Sequence, residues 1–328
     1  MQVIIPLAGK GTRLRPHTHL TPKPLLKVAG RPVMDWVMDR LEGLDISELI
    51  FITGHLKEQV EAYASAKYPW PSLFIEQTVQ DGTAGAINLA RPHVTEPVLI
   101  IFVDTVFEAD LTLTQQTDAD GVIWAKEVED YQRFGVVVTD AEGYMTRIVE
   151  KPDEPISKLA NIGLYYIRDT EALWEGIDEV IRAPKNKGEY FLTDAFQHMI
   201  EQGRRILTAE VGGWYDCGTL PALLETNATL LSQGAAHHRD HPGVTFIDPV
   251  YVEDGARIER STIGPNVSIE SGTSVCDSQL SHTIIGRDCE VHGSRLEGSM
   301  LGDHVRVRGF TGSVSLGSHA ECLGVTDG

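Results

Sequence analysis

The hydrophobic pattern of this chain changes near residue 233. Before that point, short runs of apolar, mostly β-branched residues alternate with segments in which apolar residues recur at helical spacing. The predicted elements are strands at 3–7, 49–53, 72–77 and 98–104, and helices at 32–44, 56–66 and 83–90. This alternation predicts an α/β domain, and we expect a Rossmann-like, mostly parallel sheet flanked by helices.

The C-terminal part follows a different period. Apolar residues recur near every sixth position, as at Ile263, Ile269 and Val275, and glycines are too frequent for helices. A hexapeptide period is typical of a parallel β-helix, and coils of roughly 18 residues would give about four coils. A slip in spacing between residues 275 and 285 predicts an insertion at one corner. The predicted domains are residues 1–232 and 244–328, joined by a polar linker at 233–243.

Composition narrows the class of protein. A length of 328 residues and a hydrophobic content of 42% suit two cores rather than one. The net charge of −19 argues against nucleic acid or an anionic membrane as a general partner. The longest apolar run, residues 98–103, is too short to span a bilayer. The sequence shows no secretory signal and no CxxC pair among its four cysteines, so we expect a cytoplasmic protein with reduced thiols.

Basic charge is concentrated in the first 34 residues, which contain no Asp or Glu. The glycine-rich stretch LAGKGTRLRP, at 7–16, follows the first predicted strand. A Walker motif fails there because Gly11 stands where Ser or Thr is required, and a dinucleotide fingerprint fails because Leu14 replaces its third glycine. The stretch is either an ordinary tight turn with surface cations or a loop whose backbone N–H groups approach a triphosphate.

Residues 7–33 resemble the signature G-x-G-T-R, followed by P-K, of the sugar-1-phosphate nucleotidylyltransferases, also called NDP-sugar pyrophosphorylases. Further segments similar to this family occur in the expected order at 77–86, 102–105, 134–137, 148–152, 159–167, 188–196 and 214–219. The chain looks most like glucose-1-phosphate thymidylyltransferases and uridylyltransferases that carry a C-terminal left-handed β-helix. The resemblance implies a catalytic domain of the nucleotide-diphospho-sugar transferase type at 1–232, followed by a smaller left-handed β-helix.

The implied reaction joins a sugar 1-phosphate to the α-phosphorus of a nucleoside triphosphate and releases pyrophosphate. The sugar phosphate is already mostly a dianion at neutral pH, so no side-chain base is needed to activate it. Two polyanions must instead be held together by cations and a metal ion. Glucose 1-phosphate is the expected sugar, followed by an amino sugar phosphate. Both dTTP and UTP remain open, because thymine and uracil differ by one methyl group, worth about 0.8 kcal/mol.

The resemblance also assigns roles to individual residues. Arg13 and Lys23 would contact the triphosphate, and Lys151 would hold the sugar phosphate. The other implied nucleotide-binding residues are Leu7, Ala8, Gly9, Gly11, Thr12, Gln77 and Gly82. The implied sugar-binding residues are Gly135, Glu150, Asn161 and Gly163. Gln80 competes with Gln77 for reading the base, and Glu150 could instead pair with Lys151 at the surface.

Asp104 and Asp216 are the metal ligands that the resemblance implies, and Mg²⁺ suits carboxylates together with phosphate oxygens. Many relatives have Gly-Asp-Asn around the first aspartate, whereas this chain has Val-Asp-Thr at 103–105. A single aspartate at a strand end could also be a turn residue. The three histidines between residues 237 and 241 are interpreted as part of a solvated linker rather than a metal site.

Two other functions remain open. The β-helix could carry an acetyl-CoA-dependent activity, with His282 and His292 as candidate bases, or the chain could be a non-catalytic regulatory homologue. Intact phosphate-binding and metal-binding residues argue against the second. We also expect the β-helix to promote a homo-oligomer, because its flat apolar sheets are suited to assembly.

Overall fold

The computed structural model describes residues 1–324. In this range helices α1–α7 are Val33–Met38, Lys57–Lys67, Thr83–Asn88, Leu113–Gln116, Thr170–Arg182, Leu192–Glu201 and Leu220–Leu230. Strands β1–β13 are Gln2–Pro6, Lys27–Val28, Arg31–Pro32, Glu48–Thr53, Ser72–Glu76, Val98–Ile101, Thr105–Glu108, Gly121–Glu127, Gly135–Thr139, Met145–Glu150, Leu159–Ile167, Ile206–Glu210 and Gly213–Asp216. Strands β14–β28 are Thr245–Phe246, Val250–Val252, Arg257–Glu259, Thr262–Ile263, Val267–Ile269, Ser274–Cys276, Gln279–Ser281, Ile284–Ile285, Glu290–His292, Arg295–Glu297, Met300–Leu301, Arg306–Arg308, Thr311–Gly312, Ser315–Leu316 and Glu321–Leu323.

The chain divides into two compact units. Unit 1 comprises residues 1–9 and 37–214, and unit 2 comprises residues 10–36 and the chain from residue 215 onward. The basic segment that follows Gly9 therefore belongs to the same unit as the C-terminal repeats. The domain limits at residues 232 and 243 stay a prediction from the sequence.

Unit 1 is built on a mixed sheet. Strands β10, β9, β11, β6, β1, β4 and β5 lie side by side in that order, while β8 joins β11 and β12 joins β8. The pairs β1–β4, β1–β6 and β4–β5 are parallel, as the alternation of strands and helices predicted. By contrast, β11 runs antiparallel to β6 and β8. The predicted α/β fold is confirmed, and its sheet is mixed: β11 runs antiparallel to its neighbours, whereas β12 pairs in parallel with β8.

The core of unit 1 explains why its central strands are so apolar. All four residues of β6 are fully buried, so both faces of this strand are covered. Helices α5 and α6 pack against the same core through residues such as Leu173 and Phe196. The Asp169 side chain caps α5 by accepting a 3.1 Å hydrogen bond from the Ala172 backbone N–H.

Two predicted elements are shorter than expected. The strand expected at 98–104 ends at Ile101, and residues 103 and 104 form the turn that leads into β7. The helix expected at 32–44 ends at Met38 and tightens into a 3₁₀ turn at Asp39–Leu41. Gly43, with φ of +84°, takes the left-handed conformation that ends such a helical segment. Apolar residues continue beyond the last residue of both elements. The sequence pattern therefore predicted each element to be longer than it is.

The repeats of unit 2 form the predicted left-handed β-helix, with three parallel sheets of five short strands each. The described part therefore contains five coils, and the prediction of about four was wrong. The reason is coil length. Aligned core residues are 17 positions apart at Ile258 and Val275, 16 apart at Val275 and Val291, and 15 apart at Val307 and Cys322. Each coil is thus shorter than the roughly 18 residues assumed.

The insertion predicted between residues 275 and 285 was also wrong. Strand β20 lies in this interval, and its Leu280 is 2% exposed in the core of the β-helix. The two steps, from Val275 to Leu280 and from Leu280 to Ile285, contain five residues each instead of six. Tight corners at Asp277 and His282, with φ of +50° and +47°, make this shortening possible.

Two expectations about the whole chain were tested in part. No helix among residues 1–324 is long and apolar enough to cross a membrane. All four cysteines are free thiols, as expected from their spacing.

Candidate active site

The glycine-rich stretch begins in unit 1 with a fixed backbone. Leu7 and Ala8 are buried, and the Leu7 N–H donates a 2.7 Å hydrogen bond to the Ile52 carbonyl oxygen. The Gln80 side-chain amide donates to the Ala8 carbonyl oxygen at 2.7 Å. Gly9 is exposed, and a Cβ placed on it would meet no atom within 4 Å. The backbone is therefore held by its neighbours up to Ala8 and is open at Gly9.

The stretch continues in unit 2 through Gly11, whose φ of +59° favours glycine. The Thr18 hydroxyl donates a 2.8 Å hydrogen bond to the Gly11 carbonyl oxygen. A Cβ on Gly11 would lie 2.9 Å from Thr18 Cγ2 and 3.2 Å from Lys23 Cβ. Thr12 and Arg13 follow in an exposed 3₁₀ turn. The structure thus brings Gly11 and Lys23 together, as the resemblance implied.

Arg13 and Asp216 meet at Gly218. A Cβ on Gly218 would lie 2.8 Å from Asp216 Oδ1 and 3.2 Å from Arg13 Nη2. The Gly218 N–H donates to Asp216 Oδ1 at 2.7 Å, and the Thr226 hydroxyl donates to the Asp216 carbonyl oxygen at 2.8 Å. Only a residue without a side chain leaves room for both charged groups. Gly218 lies in the segment 214–219 that resembles the family, but the resemblance assigned it no role.

The Gln77 side chain and the Gly82 backbone, which are predicted to read the base, lie within hydrogen-bonding distance of each other in unit 1. Gln77 is 9% exposed, and its side-chain nitrogen lies 3.5 Å from the Gly82 carbonyl oxygen and 3.3 Å from Asp81 Oδ1. Gly82, with φ of +126°, approaches the Tyr190 backbone too closely for any Cβ. The competing Gln80 is exposed and uses its amide on Ala8.

The predicted sugar-binding residues form one cluster on three strands of unit 1. Gly135 begins β9 and pairs with Glu150 at the end of β10. The Asn161 side-chain amide, on β11, donates a 2.8 Å hydrogen bond to the Gly135 carbonyl oxygen. A Cβ on Gly135 would clash with Asn161 and would lie 2.8 Å from Glu150 Oε2. Glycine is therefore required here because a carboxylate and an amide converge on its backbone.

Gly163 lies in an irregular part of β11. The pairing of β11 with β8 shifts register between Asn161 and Tyr165, and Gly163 has φ of +78°. Its N–H lies 3.3 Å from Asn161 Oδ1, and the Tyr165 hydroxyl donates to the same oxygen. Burial raises the pKa of the Tyr165 hydroxyl well above its usual value, so this group stays protonated as a donor. The irregularity fixes the orientation of the Asn161 side chain.

Glu150 is a buried carboxylate. Its side chain is 13% exposed, and burial raises its pKa above the usual range, while Lys151 and a hydrogen bond from Thr193 oppose that rise. The Thr193 hydroxyl lies 3.1 Å from Glu150 Oε2, and Lys151 Nζ lies 3.8 Å from Glu150 Oε1. Glu150 does pair with Lys151, as the alternative expected, but its own side chain lies mostly below the surface. Thr193 was not among the predicted site residues, although it lies in the segment 188–196 that resembles the family.

Lys151 has a strained backbone and an exposed side chain. Its φ of +45° is unusual for a residue with a side chain. Two hydrogen bonds stabilise this backbone conformation. The Lys151 N–H donates to the Phe134 carbonyl oxygen at 2.9 Å, and Lys187 Nζ donates to the Lys151 carbonyl oxygen at 2.7 Å. The ammonium group lies 5.1 Å from the centre of the Phe191 ring. It is therefore placed beside Glu150 and remains accessible to an anion.

Asp104 is half-buried in the turn between β6 and β7. Together with Glu150, its charge contributes to raising the pKa of the Tyr165 hydroxyl, so its field reaches the sugar-binding cluster. The neighbouring Thr105 is 5% exposed, and its hydroxyl has no hydrogen-bond partner among the described residues. A carboxylate beside an unsatisfied buried hydroxyl supplies the oxygen ligands that a hard divalent ion prefers. Asp104 therefore fits a metal-binding role within unit 1, and Asp216 offers a half-buried carboxylate in unit 2.

One other group of metal-ligating side chains lies on the β-helix. Ligand atoms of Cys276, Asp277 and His292 lie within 4.8 Å of one another. The Arg260 guanidinium donates to Cys276 Sγ at 2.6 Å and to both carboxylate oxygens of Asp277. A cation of the chain itself thus already satisfies this group. His238, from the predicted linker, stacks on Phe246, in keeping with a structural role.

Comparisons with known proteins identify the family of this chain. The nucleotidyl transferase family profile matches residues 2–233. The UTP–glucose-1-phosphate uridylyltransferase AglF of Haloferax volcanii is 34% identical over 65% of this chain and 89% of its own length. The glucose-1-phosphate thymidylyltransferase of Streptomyces antibioticus is 29% identical over 92% of this chain and 87% of its own. The bifunctional protein GlmU of Methanococcus aeolicus is 32% identical over 93% of this chain and 78% of its own.

A solved structure supports the fold. The crystal structure of a UDP-glucose pyrophosphorylase complexed with UDP-glucose matches with a TM-score of 0.63 at 23% identity, covering 71% of this chain and 98% of that one. The family profile, the relatives and the shared fold all agree with the interpretation of the sequence. The chain is a nucleotidyltransferase and belongs to the nucleotidyl transferase family.

Proposed function

We propose that this enzyme transfers a nucleotidyl group from dTTP or UTP to glucose 1-phosphate and so forms an NDP-glucose and pyrophosphate. The names of the uridylyltransferase and thymidylyltransferase relatives support both the sugar and the pyrimidine. The observation that carries the proposal is the environment of Gly11. The Gly11 backbone lies so close to Lys23 that a Cβ would meet it at 3.2 Å, and the chain continues through Thr12 to Arg13, which is an arrangement suited to a triphosphate.

The proposed reaction is a displacement at phosphorus. An oxygen of the sugar phosphate forms a bond to the α-phosphorus, and the bond from that phosphorus to the bridging oxygen breaks, releasing pyrophosphate. No proton has to be removed from the nucleophile, because the sugar phosphate is already mostly a dianion. Arg13 and Lys23 would neutralise the triphosphate, and Lys151 would hold the sugar phosphate. Leu7, Ala8, Gly9 and Thr12 would present backbone groups to the nucleotide.

Nucleotidyltransferases of this family generally use a divalent metal ion. We propose Mg²⁺ as that ion and name Asp104 and Asp216 as the carboxylates for it, each to be tested separately. When bound, the ion supplies positive charge to phosphate oxygens. Asp216 also has a role within unit 2. Its carboxylate and the Arg13 guanidinium both lie next to Gly218, and the carboxylate accepts a hydrogen bond from the Gly218 N–H.

The direct test measures pyrophosphate release from a matrix of nucleoside triphosphates and sugar 1-phosphates in the presence of Mg²⁺. We expect release with dTTP or UTP together with glucose 1-phosphate, and none when either reactant is omitted. Release with purine triphosphates and a sugar 1-phosphate, but not with dTTP or UTP, would contradict the pyrimidine assignment. Activity with no pair at all would support the non-catalytic alternative.

Replacing Gln77 by leucine is expected to raise the KM for the nucleoside triphosphate by roughly 10- to 100-fold, because a base edge would lose a buried hydrogen-bonding amide. The KM for the sugar phosphate should stay unchanged. Gln80→Leu is the matched control, since it removes an exposed amide whose hydrogen bond goes to the Ala8 carbonyl oxygen. If Gln80→Leu raised the nucleotide KM more than Gln77→Leu, the base would be assigned to Gln80.

Replacing Glu150 by glutamine is expected to separate function from stability. A buried carboxyl with a raised pKa destabilises the fold at pH values above that pKa, and this cost disappears as the pH falls below the unfolded value of 4.5. The variant should therefore have a Tm at pH 7 at least equal to that of the wild type, and the two should converge near pH 4.5. The KM for glucose 1-phosphate at pH 7 should rise by about tenfold. A lower Tm at pH 7 together with an unchanged KM would contradict this role.

A second activity deserves a test because relatives named as bifunctional GlmU match most of this chain. The two candidate bases differ in their surroundings. His282 lies 3.2 Å from the Asn266 side chain, whereas His292 lies 3.5 Å from Asp277. Release of free CoA from acetyl-CoA, with an amino sugar phosphate as acceptor, would establish this second activity. The homo-oligomer and the cytoplasmic location stay predictions, and light scattering of the purified protein tests the first.

A further inference from the structure

The signature segment, defined here as residues 10–36, is attached to the β-helix by a buried ion pair. Lys27 Nζ lies 2.6 Å from Glu270 Oε2 and 3.9 Å from Glu253 Oε2. Glu270 follows β18 in the second coil and is 7% exposed. Burial raises the pKa of this carboxyl, while the Lys27 charge and hydrogen bond oppose the rise. A buried carboxylate of the β-helix is thus paired at 2.6 Å with a lysine of the signature segment, while Arg287 Nε of the β-helix lies 3.9 Å from the same oxygen.

Asn227 makes a second attachment. This residue lies on α7 and is fully buried. Its side-chain oxygen accepts 2.8 Å and 2.7 Å hydrogen bonds from the Ala29 N–H and the Ser268 hydroxyl, and its nitrogen donates to the Asn266 carbonyl oxygen at 3.3 Å. One amide therefore connects the signature segment, α7 and a coil of the β-helix. A buried polar group with all these partners fixes their relative positions.

The last coil makes a third attachment. His17 is 3% exposed, and its Nε2 lies 3.0 Å from the Ser315 hydroxyl. Burial lowers the pKa of His17 to about 4, so this contact is an uncharged hydrogen bond at neutral pH. A Cβ on Gly317 would lie 3.0 Å from Pro16 Cβ. The segment therefore meets the β-helix near His17, Lys27 and Ala29, on both sides of Lys23.

We propose that the β-helix positions the triphosphate-binding residues of this enzyme, and that Glu270 and Asn227 are positioning residues for Arg13 and Lys23. This inference rests on the proposed function, because it requires those two cations to bind the nucleotide. The three attachments leave the signature segment few ways to move independently of the coils. A small displacement of preorganised cations lowers nucleotide binding and catalysis without touching the sugar-binding cluster, whose residues all belong to unit 1.

The test uses Lys27→Met, Glu270→Gln and the double variant in the full chain. Each single variant should raise the KM for the triphosphate by about 10- to 100-fold, with the KM for glucose 1-phosphate within about twofold of the wild type. The double variant should be less impaired than the sum of the single changes, because it leaves no unpaired buried charge. Lys57→Met is the matched control, since Lys57 pairs with Glu76 within unit 1, whereas the signature segment belongs to unit 2. It should change neither KM.

Hydrogen exchange gives a readout that does not depend on activity. Peptides covering residues 12–36 should exchange faster in Glu270→Gln and in Asn227→Ala, and those covering 135–163 should not. A wild type that releases no pyrophosphate would overturn the proposed function while leaving this exchange result to be judged separately. An active wild type whose variants show unchanged exchange and an unchanged triphosphate KM would overturn the positioning role. A uniform loss of kcat with both KM values unchanged would do the same, since it would indicate only a smaller folded fraction.

Discussion

Replacing Asp104 by asparagine is expected to lower kcat by about 10³-fold, because the site loses the anionic oxygen with which it would hold a divalent ion beside the phosphates. Asparagine has the same shape and suits the same turn between β6 and β7, so the fold should be retained. The measurement is steady-state pyrophosphate release at several Mg²⁺ concentrations. Part of the lost activity should return as Mg²⁺ is raised, since the remaining ligands bind the ion more weakly.

The matched control for this change is Asp110→Asn. Asp110 follows the next strand, β7, and its exposed carboxylate accepts 3.0 Å and 2.6 Å hydrogen bonds from the backbone and hydroxyl of Thr112. It lies near Asp104 in sequence but has a local partner that explains its presence. We expect the control to keep wild-type kcat and wild-type Mg²⁺ dependence. Full activity in Asp104→Asn would remove this aspartate from the metal assignment.

Replacing Lys151 by methionine is expected to raise the KM for glucose 1-phosphate by roughly 10- to 100-fold, the value of one charge-assisted hydrogen bond. Methionine keeps the apolar stem of the side chain but lacks the ammonium group, which lies 5.1 Å from the Phe191 ring centre, so the loss is mainly the positive charge. The KM for the nucleoside triphosphate should change by less than about twofold. Initial rates with each reactant varied in turn measure both constants.

Lys158→Met provides the comparison for Lys151→Met. Lys158 is also exposed and pairs with Glu129 at 2.7 Å, at a place that the resemblance does not connect with substrate. Its replacement should leave both constants unchanged. A larger effect on the triphosphate than on the sugar phosphate in Lys151→Met would move Lys151 to the nucleotide and contradict its assignment.

The sequence predicted those parts of the fold that depend on hydrophobic periodicity. Strands β1, β4 and β5 are buried β-branched runs, and the six-residue period of the C-terminal part gave the β-helix. The sequence did not predict the antiparallel pairing of β11, because the direction of this strand depends on its distant partners β6 and β8. The coil count failed because Leu280 belongs to a five-residue step that a strict hexapeptide pattern passes over.

The candidate site shows a similar division. The resemblance led to Gly135, Glu150 and Asn161, and the structure places these three residues in contact. It gave no information on Thr193, whose hydroxyl reaches Glu150 from a helix more than 40 residues further along the chain. Nor could it reveal the positive φ of Lys151 or the hydrogen bonds that Asn227 accepts from Ala29 and Ser268. These features depend on which distant segments pack together, and a short motif contains no such information.

The measurement that tests the central claim most directly is a crystal structure with a non-hydrolysable dTTP or UTP analogue and Mg²⁺. The account predicts that the triphosphate lies against the backbone N–H groups of residues 9–12, with Arg13 and Lys23 in contact with its oxygens. A nucleotide bound elsewhere, with this glycine-rich stretch unchanged from its unliganded conformation, would contradict the account.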